Sequence, residues 1–299
     1  MIIKKVQNFN LCQIAESGQC FRMNPMPDSG ESAYAVISGR HRVILSQEKD
    51  AVSFSCGEEE FPFWHHYFDL GTDYGKFLAA VPREDAYLQA ATAFGSGIRI
   101  LRQEAWEMII TFVISQQKSI PAIKTLVEAL CTRYGTPIKQ PTGSFYTFPN
   151  PEQLNRASLE ELCALKLGYR AKYIKKICED ACTGALDLEL LSSMEYAAAL
   201  EYLVRFYGIG RKIANCVCLF GLHQIDAFPV DTWIRKILLR EYAPQSRFAE
   251  SVPKTRLCDA LVEEHFSRYA GYAGVIQQYI FYYERQSAGR YPGKSGSGS

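Results

Sequence analysis

The sequence has almost no net charge. Thirty-three Lys and Arg residues stand against 32 Asp and Glu over 299 residues, a formal charge of +1. A chain that holds a polyanion by bulk charge alone is excluded, although a local basic face is not. No apolar run approaches the roughly 18 uncharged residues of a membrane-spanning helix, so none is expected. The opening Met1-Ile2-Ile3-Lys4-Lys5 carries no long apolar stretch before a small-residue cleavage site, so no secretory leader is expected either. The five histidines, His41, His65, His66, His223 and His265, show no ligand spacing. No internal repeat is visible. Ten cysteines are many, yet no Cys-x-x-Cys and no compact four-cysteine group occurs. Cys178 and Cys182, one helical turn apart, come nearest to a ligand pair. Cys131, Cys163, Cys216 and Cys218 lie in apolar, helix-like stretches. Reduced, largely buried thiols of a cytoplasmic protein are therefore expected, rather than a metal site or disulfides.

What is present is an ordinary globular balance, 47% hydrophobic and 22% charged. The length suits about two domains of roughly 150 residues. Residues 1–95 read as an antiparallel sheet domain. Alternation predicts strands at residues 33–38 and 41–45 across a tight Gly39-Arg40 turn, then another at 51–56. Residues 24–30 read as a loop. Residues 96–290 read as mostly helical, giving an α+β fold with the sheet packed on the helices. A buried helix is expected at 104–115, and another from Ser119-Ile120-Pro121 to Tyr134. Four prolines mark 135–151 as a long connection. Ser158 with Glu161 reads as a capping box, and Ser192-Ser193-Met194-Glu195 as a second one opening a helix to Phe206. Further helices are expected at 172–183, 232–241, 254–267 and 273–284. Residues 291–299 have linker composition.

The chemistry-bearing segment is Phe206-Tyr207-Gly208-Ile209-Gly210-Arg211-Lys212-Ile213-Ala214-Asn215. Gly208 and Gly210 permit a tight turn between two helical stretches, about 195–222, and the second helix would point free amides at a phosphate. A plain helix–helix turn fits as well. A P-loop does not, since Gly-x-x-x-x-Gly-Lys-Ser/Thr is missing. Farther on comes Asp226-Ala227-Phe228-Pro229-Val230-Asp231-Thr232-Trp233. Asp231 is a natural N-cap for the helix it precedes. A lysine at one helix start and an aspartate at the next can also face one cleft, bringing an amine nucleophile and a carboxylate to one carbon.

These segments resemble the helix-hairpin-helix, HhH-GPD superfamily of base-excision DNA glycosylases. Other segments resemble its 8-oxoguanine DNA glycosylase family. They are Ser17-Gly18-Gln19-Cys20-Phe21-Arg22, Leu167-Gly168-Tyr169-Arg170-Ala171-Lys172-Tyr173, Tyr269-Ala270-Gly271-Tyr272-Ala273, and the stretch from Gln277 to Phe281. The resemblance spans about residues 10–286, in one order. It implies a bifunctional glycosylase/AP lyase acting on 8-oxoguanine in double-stranded DNA. No cofactor would be required, and a monomer is the default expectation. The protein would be cytoplasmic, on the bacterial nucleoid when bound to DNA. Lys212 would attack C1′, and Asp231 would stabilise positive charge on the sugar. Gly18 would accept the N7–H that marks the lesion, Gln277 would read the Watson–Crick edge, and Cys216 and Phe281 would stack on the flipped base. Tyr169 would be the intercalating wedge and Arg170 the opposite-base contact. Gly208, Gly210, Gln117 and Trp233 would touch DNA nearby. Lys166, Lys172, Lys175 and Lys176 make the surroundings of Arg170 basic.

The chain departs from the family's eukaryotic pattern twice. Gln117-Lys118-Ser119-Ile120-Pro121-Ala122 replaces Asn-Asn-Asn-Ile-Ala-Arg, so Ala122 stands at the arginine position. This implies a relaxed preference for the base opposite the lesion, as in bacterial members. Trp233 replaces a histidine and can supply only one N–H donor. Two other readings compete: a related hairpin glycosylase with another lesion preference, and a non-catalytic hairpin module that only holds DNA. An endonuclease III-like enzyme would usually carry a four-cysteine loop, and a 3-methyladenine-like enzyme would lack Lys212.

Overall fold

A computed structural model describes residues 1–26, 33–140 and 143–290, with the side chains of 288–290 outside the description. Part of the expected 24–30 loop and the linker-like tail lie outside these residues. The chain forms an antiparallel sheet packed on a helical body, the α+β arrangement expected. Strands β1 (Ile2–Lys5), β2 (Met23–Pro25), β3 (Ala33–Ser38), β4 (His41–Glu48) and β5 (Ala51–Phe54) stand in the order β1-β5-β4-β3-β2. Gly39, at φ +55°, closes the β3–β4 hairpin, where Ala35 faces Ile44 and Val36 faces Val43. Alternation puts Val36, Val43, Leu45, Val52 and Phe54 on one buried face, with Trp64 and Phe68 in the same core.

Helix α1 (Leu11–Glu16), capped by Asn10, precedes β2. Helices α2 (Phe61–Tyr67), α3 (Gly75–Ala79) and α4 (Ala86–Phe94) follow β5. The strands therefore end at Phe54, and residues 61–94 of the expected sheet region are largely helical. Helix α5 (Ala105–Ile114) has nine buried residues and runs through the middle of the second core. Helix α6 (Ile120–Tyr134) starts on Pro121, as expected. The connection after it holds a small hairpin, β6 (Pro137–Ile138) with β7 (Phe145–Tyr146). Helices α7 (Pro151–Asn155) and α8 (Leu159–Ala164) each open on a full capping box, the second being Ser158 with Glu161.

Helix α9 (Arg170–Cys182) is followed by α10 (Leu188–Ser193) and α11 (Tyr196–Leu203). Here the second expected capping box fails. Asp187 already caps α10, and Ser192 and Ser193 end that helix, their hydroxyls donating back to the carbonyls of Glu189 and Leu190. Helix α11 starts at Glu195 with no side-chain cap. Helices α12 (Arg211–Gly221), α13 (Thr232–Ile237), α14 (Leu257–Phe266) and α15 (Ala273–Arg290) complete the body. A π-helical turn over Leu238–Tyr242 extends α13. All ten cysteines are free thiols. Cys163, placed by its sequence among buried thiols, is exposed, as are Cys12 and Cys182.

The seam between sheet and helices is polar. Gln19 is fully buried, donates to Ser17 Oγ and the Arg99 carbonyl, and accepts from the Leu101 amide, each at 2.8 Å. Arg99 donates to the carbonyls of Gln7, Asn8, Asp69 and Thr72. Arg22 reaches from the sheet to Glu128 on α6 at 2.8 Å and to the Tyr146 carbonyl at 2.7 Å. Glu107, buried on α5, has its carboxyl pushed up to about 7 by burial, against the pull of Arg22. The folded protein therefore keeps a proton that the unfolded chain loses near pH 4.5. Stability should fall as pH rises from about 4.5 to about 7, by on the order of 3 kcal/mol from this group. Glu107→Gln should remove that slope in urea midpoints measured across the window; an unchanged slope would assign it elsewhere.

Candidate active site

The turn between α11 and α12 is built on Gly208, whose φ is +92°. A Cβ there would lie 2.4 Å from Tyr173 Cγ, so both backbone and space require glycine. Gly210 is extended, has open space around it, and leaves α12 without a side-chain cap. The first amides of α12 thus face outward beside Lys212. Beyond the first turn, α12 is buried from Ile213 to Phe220.

Lys212 is half-buried, its Nζ 5.4 Å from the centre of the Phe112 ring. Asp231 caps α13: its Oδ1 accepts from the amides of Trp233 and Ile234, each at 2.9 Å. Burial pushes the Asp231 carboxyl above its ordinary value, and the two amides and the charge of Lys212 only partly offset this. Cys216 lies one turn beyond Lys212, 3% exposed. Burial raises its thiol too, against the field of Lys212 and a hydrogen bond to it.

Lys212 and Asp231 line one cleft of about 1760 Å³, together with Gly18, Gln117, Tyr169, Trp233 and Phe281. Gly18, at φ +77°, sits where a Cβ would come 3.2 Å from Phe281 Cε1. The N-terminal motif and α15 therefore meet at one wall. Gln277 is buried one turn before Phe281. Its Nε2 donates to the Pro229 carbonyl at 3.1 Å and its Oε1 accepts from Gln278 at 2.9 Å, so both ends of the amide are engaged within the protein. Tyr169, 44% exposed, stands at the start of α9. Gln117 is exposed with φ +53°. Trp233 is half-buried, with Lys236 Nζ 5.2 Å from its ring.

Arg170 is placed differently from its expected part. It is 4% exposed, and its guanidinium donates to the carbonyls of Gln116 and Leu167 while lying 4.5 Å from the Tyr169 ring. It shapes the loop that carries Gln117 and backs the exposed tyrosine. Lys175 and Lys176 are also committed, to Asn155 and Asp180. Three contributors were missed from the sequence: Phe112 beneath Lys212, Gln19 fixing the Gly18 turn, and Arg285 beside Gly18. Only Gln19 had a signal, its place inside a quoted motif. Among the described residues, no group of three or more His, Cys, Asp or Glu side chains is placed to hold a metal ion, and no helix is long and apolar enough to cross a membrane.

The comparisons agree along the chain. Residues 1–109 match the family model of the 8-oxoguanine DNA glycosylase N-terminal domain, and residues 110–257 that of the HhH-GPD superfamily base excision DNA repair protein. An N-glycosylase/DNA lyase of Arabidopsis thaliana is 31% identical over 89% of this chain and 74% of its own length. An N-glycosylase/DNA lyase of Saccharomyces cerevisiae is 29% identical over 91% of this chain and 82% of its own. The chain belongs to the 8-oxoguanine DNA glycosylase family. It is a DNA glycosylase and AP lyase. The 8-oxoguanine glycosylase/lyase of Clostridium acetobutylicum, solved with double-stranded DNA containing cytosine opposite 8-oxoG, superimposes with a TM-score of 0.85 at 32% identity over 95% of each chain. A 3-methyladenine DNA glycosylase of Archaeoglobus fulgidus, at TM-score 0.71 and 21% identity, shares the fold.

In this glycosylase Asp231 is both cap and charge, and substitutions should separate the two. Asp231→Asn keeps the Oδ1 acceptor and should hold its urea midpoint. Asp231→Ala should lose about 1 kcal/mol. Equal loss in both would show that the cap does not set stability here.

Proposed function

We propose that this glycosylase/lyase removes 8-oxoguanine from duplex DNA by attack of the Lys212 amine on C1′ of the flipped nucleotide. The new bond is Nζ–C1′; the bond that breaks is C1′–N9, whose electron pair leaves with the base. The departing base takes up the proton that the lysine nitrogen sheds. The sugar ring then opens as C1′–O4′ breaks and O4′ takes a proton, giving the Schiff base; loss of a C2′ proton breaks C3′–O3′, and the strand is cut on the 3′ side as the phosphate leaves. Asp231 stabilises positive charge on the sugar as the glycosidic bond weakens. Attack requires the neutral amine, and the chemistry draws on no metal or cofactor. The observation that carries the reading is the convergence of Lys212 and Asp231, each at a helix start, in one cleft with the Gly18–Phe281 wall.

In the same reading the Gly18 carbonyl accepts the N7–H, Phe281 and Cys216 stack on the base, and Gln277 exchanges a protein partner for the Watson–Crick edge. Tyr169 enters the stack, while Gln117, Trp233 and the amides after Gly208 and Gly210 take the backbone around it. Arg170 supports this loop from below. With Ala122 at the family's arginine position and Arg170 turned inward, neither offers a guanidinium to the opposite base. Discrimination by one bidentate contact, about tenfold or more, is accordingly missing.

Borohydride trapping on duplexes carrying one 8-oxoguanine, one guanine or one abasic site tests the mechanism. A covalent adduct should form with 8-oxoguanine and the abasic site, not with guanine, and should vanish in Lys212→Gln. Adducts with abasic DNA alone would move the lesion assignment. Adducts that persist in Lys212→Gln would overturn the nucleophile. On 8-oxoguanine substrates, excision opposite cytosine and opposite adenine should differ by less than about tenfold.

A further inference from the structure

Arg285 lies on α15 one turn beyond Phe281, in the wall of the same cleft. Its Nη2 donates to the Glu16 carbonyl and lies 3.4 Å from Glu16 Oε2. The guanidinium carbon is 5.7 Å from the centre of the Phe281 ring. Its Nη1 is buried and has no hydrogen-bond partner. It lies 3.6 Å from the point that a Cβ on Gly18 would occupy. A guanidinium anchored to Glu16 through Nη2 thus holds one unsatisfied N–H group, Nη1, beside the Gly18 turn and the Phe281 ring.

An unpaired buried donor is costly and needs a reason. The chemistry of the proposed substrate supplies one. On 8-oxoguanine the N7–H is flanked by two carbonyl oxygens, at C6 and C8. A backbone acceptor with a donor next to it matches an N–H with an oxygen next to it. We propose that Arg285 is a specificity-determining residue whose Nη1 donates to an oxo oxygen flanking N7 of the flipped base. As C1′–N9 breaks, its electron pair spreads from N9 onto the oxo oxygens, and the guanidinium stabilises that charge without giving up a proton. The inference rests on the lesion and the Gly18 contact proposed above. It adds what that reading lacks, a cation for the leaving group.

The test compares the full-length protein with Arg285→Leu and Arg285→Lys under single-turnover conditions. The duplexes carry 8-oxoguanine, 2-amino-8-oxopurine (no C6 oxygen), 8-thioguanine (a weaker acceptor at C8) or an abasic site. Arg285→Leu should slow excision of 8-oxoguanine by about a hundredfold, leave abasic-site cleavage unchanged, and lose the wild-type preference for 8-oxoguanine over one of the two analogues. Arg285→Lys should recover part of the rate. A purely structural role, through the Glu16 carbonyl and the Gly18 turn, would slow all three bases by one common factor, and that result would overturn the proposal. Wild-type protein that cleaves abasic DNA but leaves 8-oxoguanine intact would instead overturn the lesion reading, and this inference with it.

Discussion

The contact between α12 and α5 is the constraint on which the cleft depends. Gly221 makes it close: a Cβ there would fall 3.0 Å from Ala105 Cα and 3.1 Å from Met108 Cβ. Eight consecutive buried residues of α12 then fix the helix from every side, so its first turn cannot rotate independently. Lys212 is aimed by that burial together with its contacts to the Cys216 thiol and the Phe112 ring. Phe112 of α5, stacked on Phe220 of α12 at 5.4 Å and edge-on to Phe21 at 5.9 Å, forms an aromatic floor beneath the ammonium. The face of the ring attracts the ammonium and so helps to set where the amine points.

The same floor ties the two halves of the protein to the chemistry. Within six residues of the N-terminal motif, Gly18 reaches the cleft wall, Gln19 staples the turn to residues 99–101, Phe21 joins the floor, and Arg22 crosses to α6. A pocket assembled from distant pieces of chain needs a fixed relation between them. Apolar packing alone leaves such a relation free to slide. The buried polar contacts of the seam fix it, because each misaligned register would strand a charge or an amide. A stranded charge at Arg22 or Arg99 costs more than a lost methylene contact, so the seam selects one docking of sheet on helices even where it adds little to stability.

Much of this was legible in the sequence where a local rule had one outcome. The β3–β4 hairpin follows from alternation around Gly39-Arg40, α6 from Pro121 in its first turn, and α8 from Ser158 and Glu161. Lys212 and Asp231 were legible as residues facing one cleft because each stands at a helix start, the first after the Gly208–Gly210 turn and the second after Pro229-Val230. The failures share a cause as well. Ser192 and Ser193 carry a cap pattern, but Asp187 had already started the helix, and the serines bond back into it. Edge strand β1, with one buried residue in four, has no alternation to read. Arg170 and Arg285 look like surface arginines in any window of sequence. What turns them inward are the carbonyls of Gln116 and Glu16, 54 and 269 residues away.

That distinction bears on how the cleft recognises a base. Of the cleft residues read from the sequence, Lys212 and Asp231 stand at helix starts and Phe281 stands on α15, so each is positioned within one helix. Those it concealed are held by backbone carbonyls from elsewhere in the chain, which fix where a donor can point. Gln277 shows the consequence. The resemblance gives it the Watson–Crick edge of the flipped base, yet its amide is already bonded to Pro229 and Gln278. To meet a base it must exchange one of those bonds for an equivalent one, at small net gain. Arg285 Nη1 has no bond to exchange. A base that offers an oxygen there repairs a deficit already present in the fold. One that offers a hydrogen leaves it standing, so under the Arg285 proposal discrimination would rest on the unsatisfied donor more than on the satisfied one.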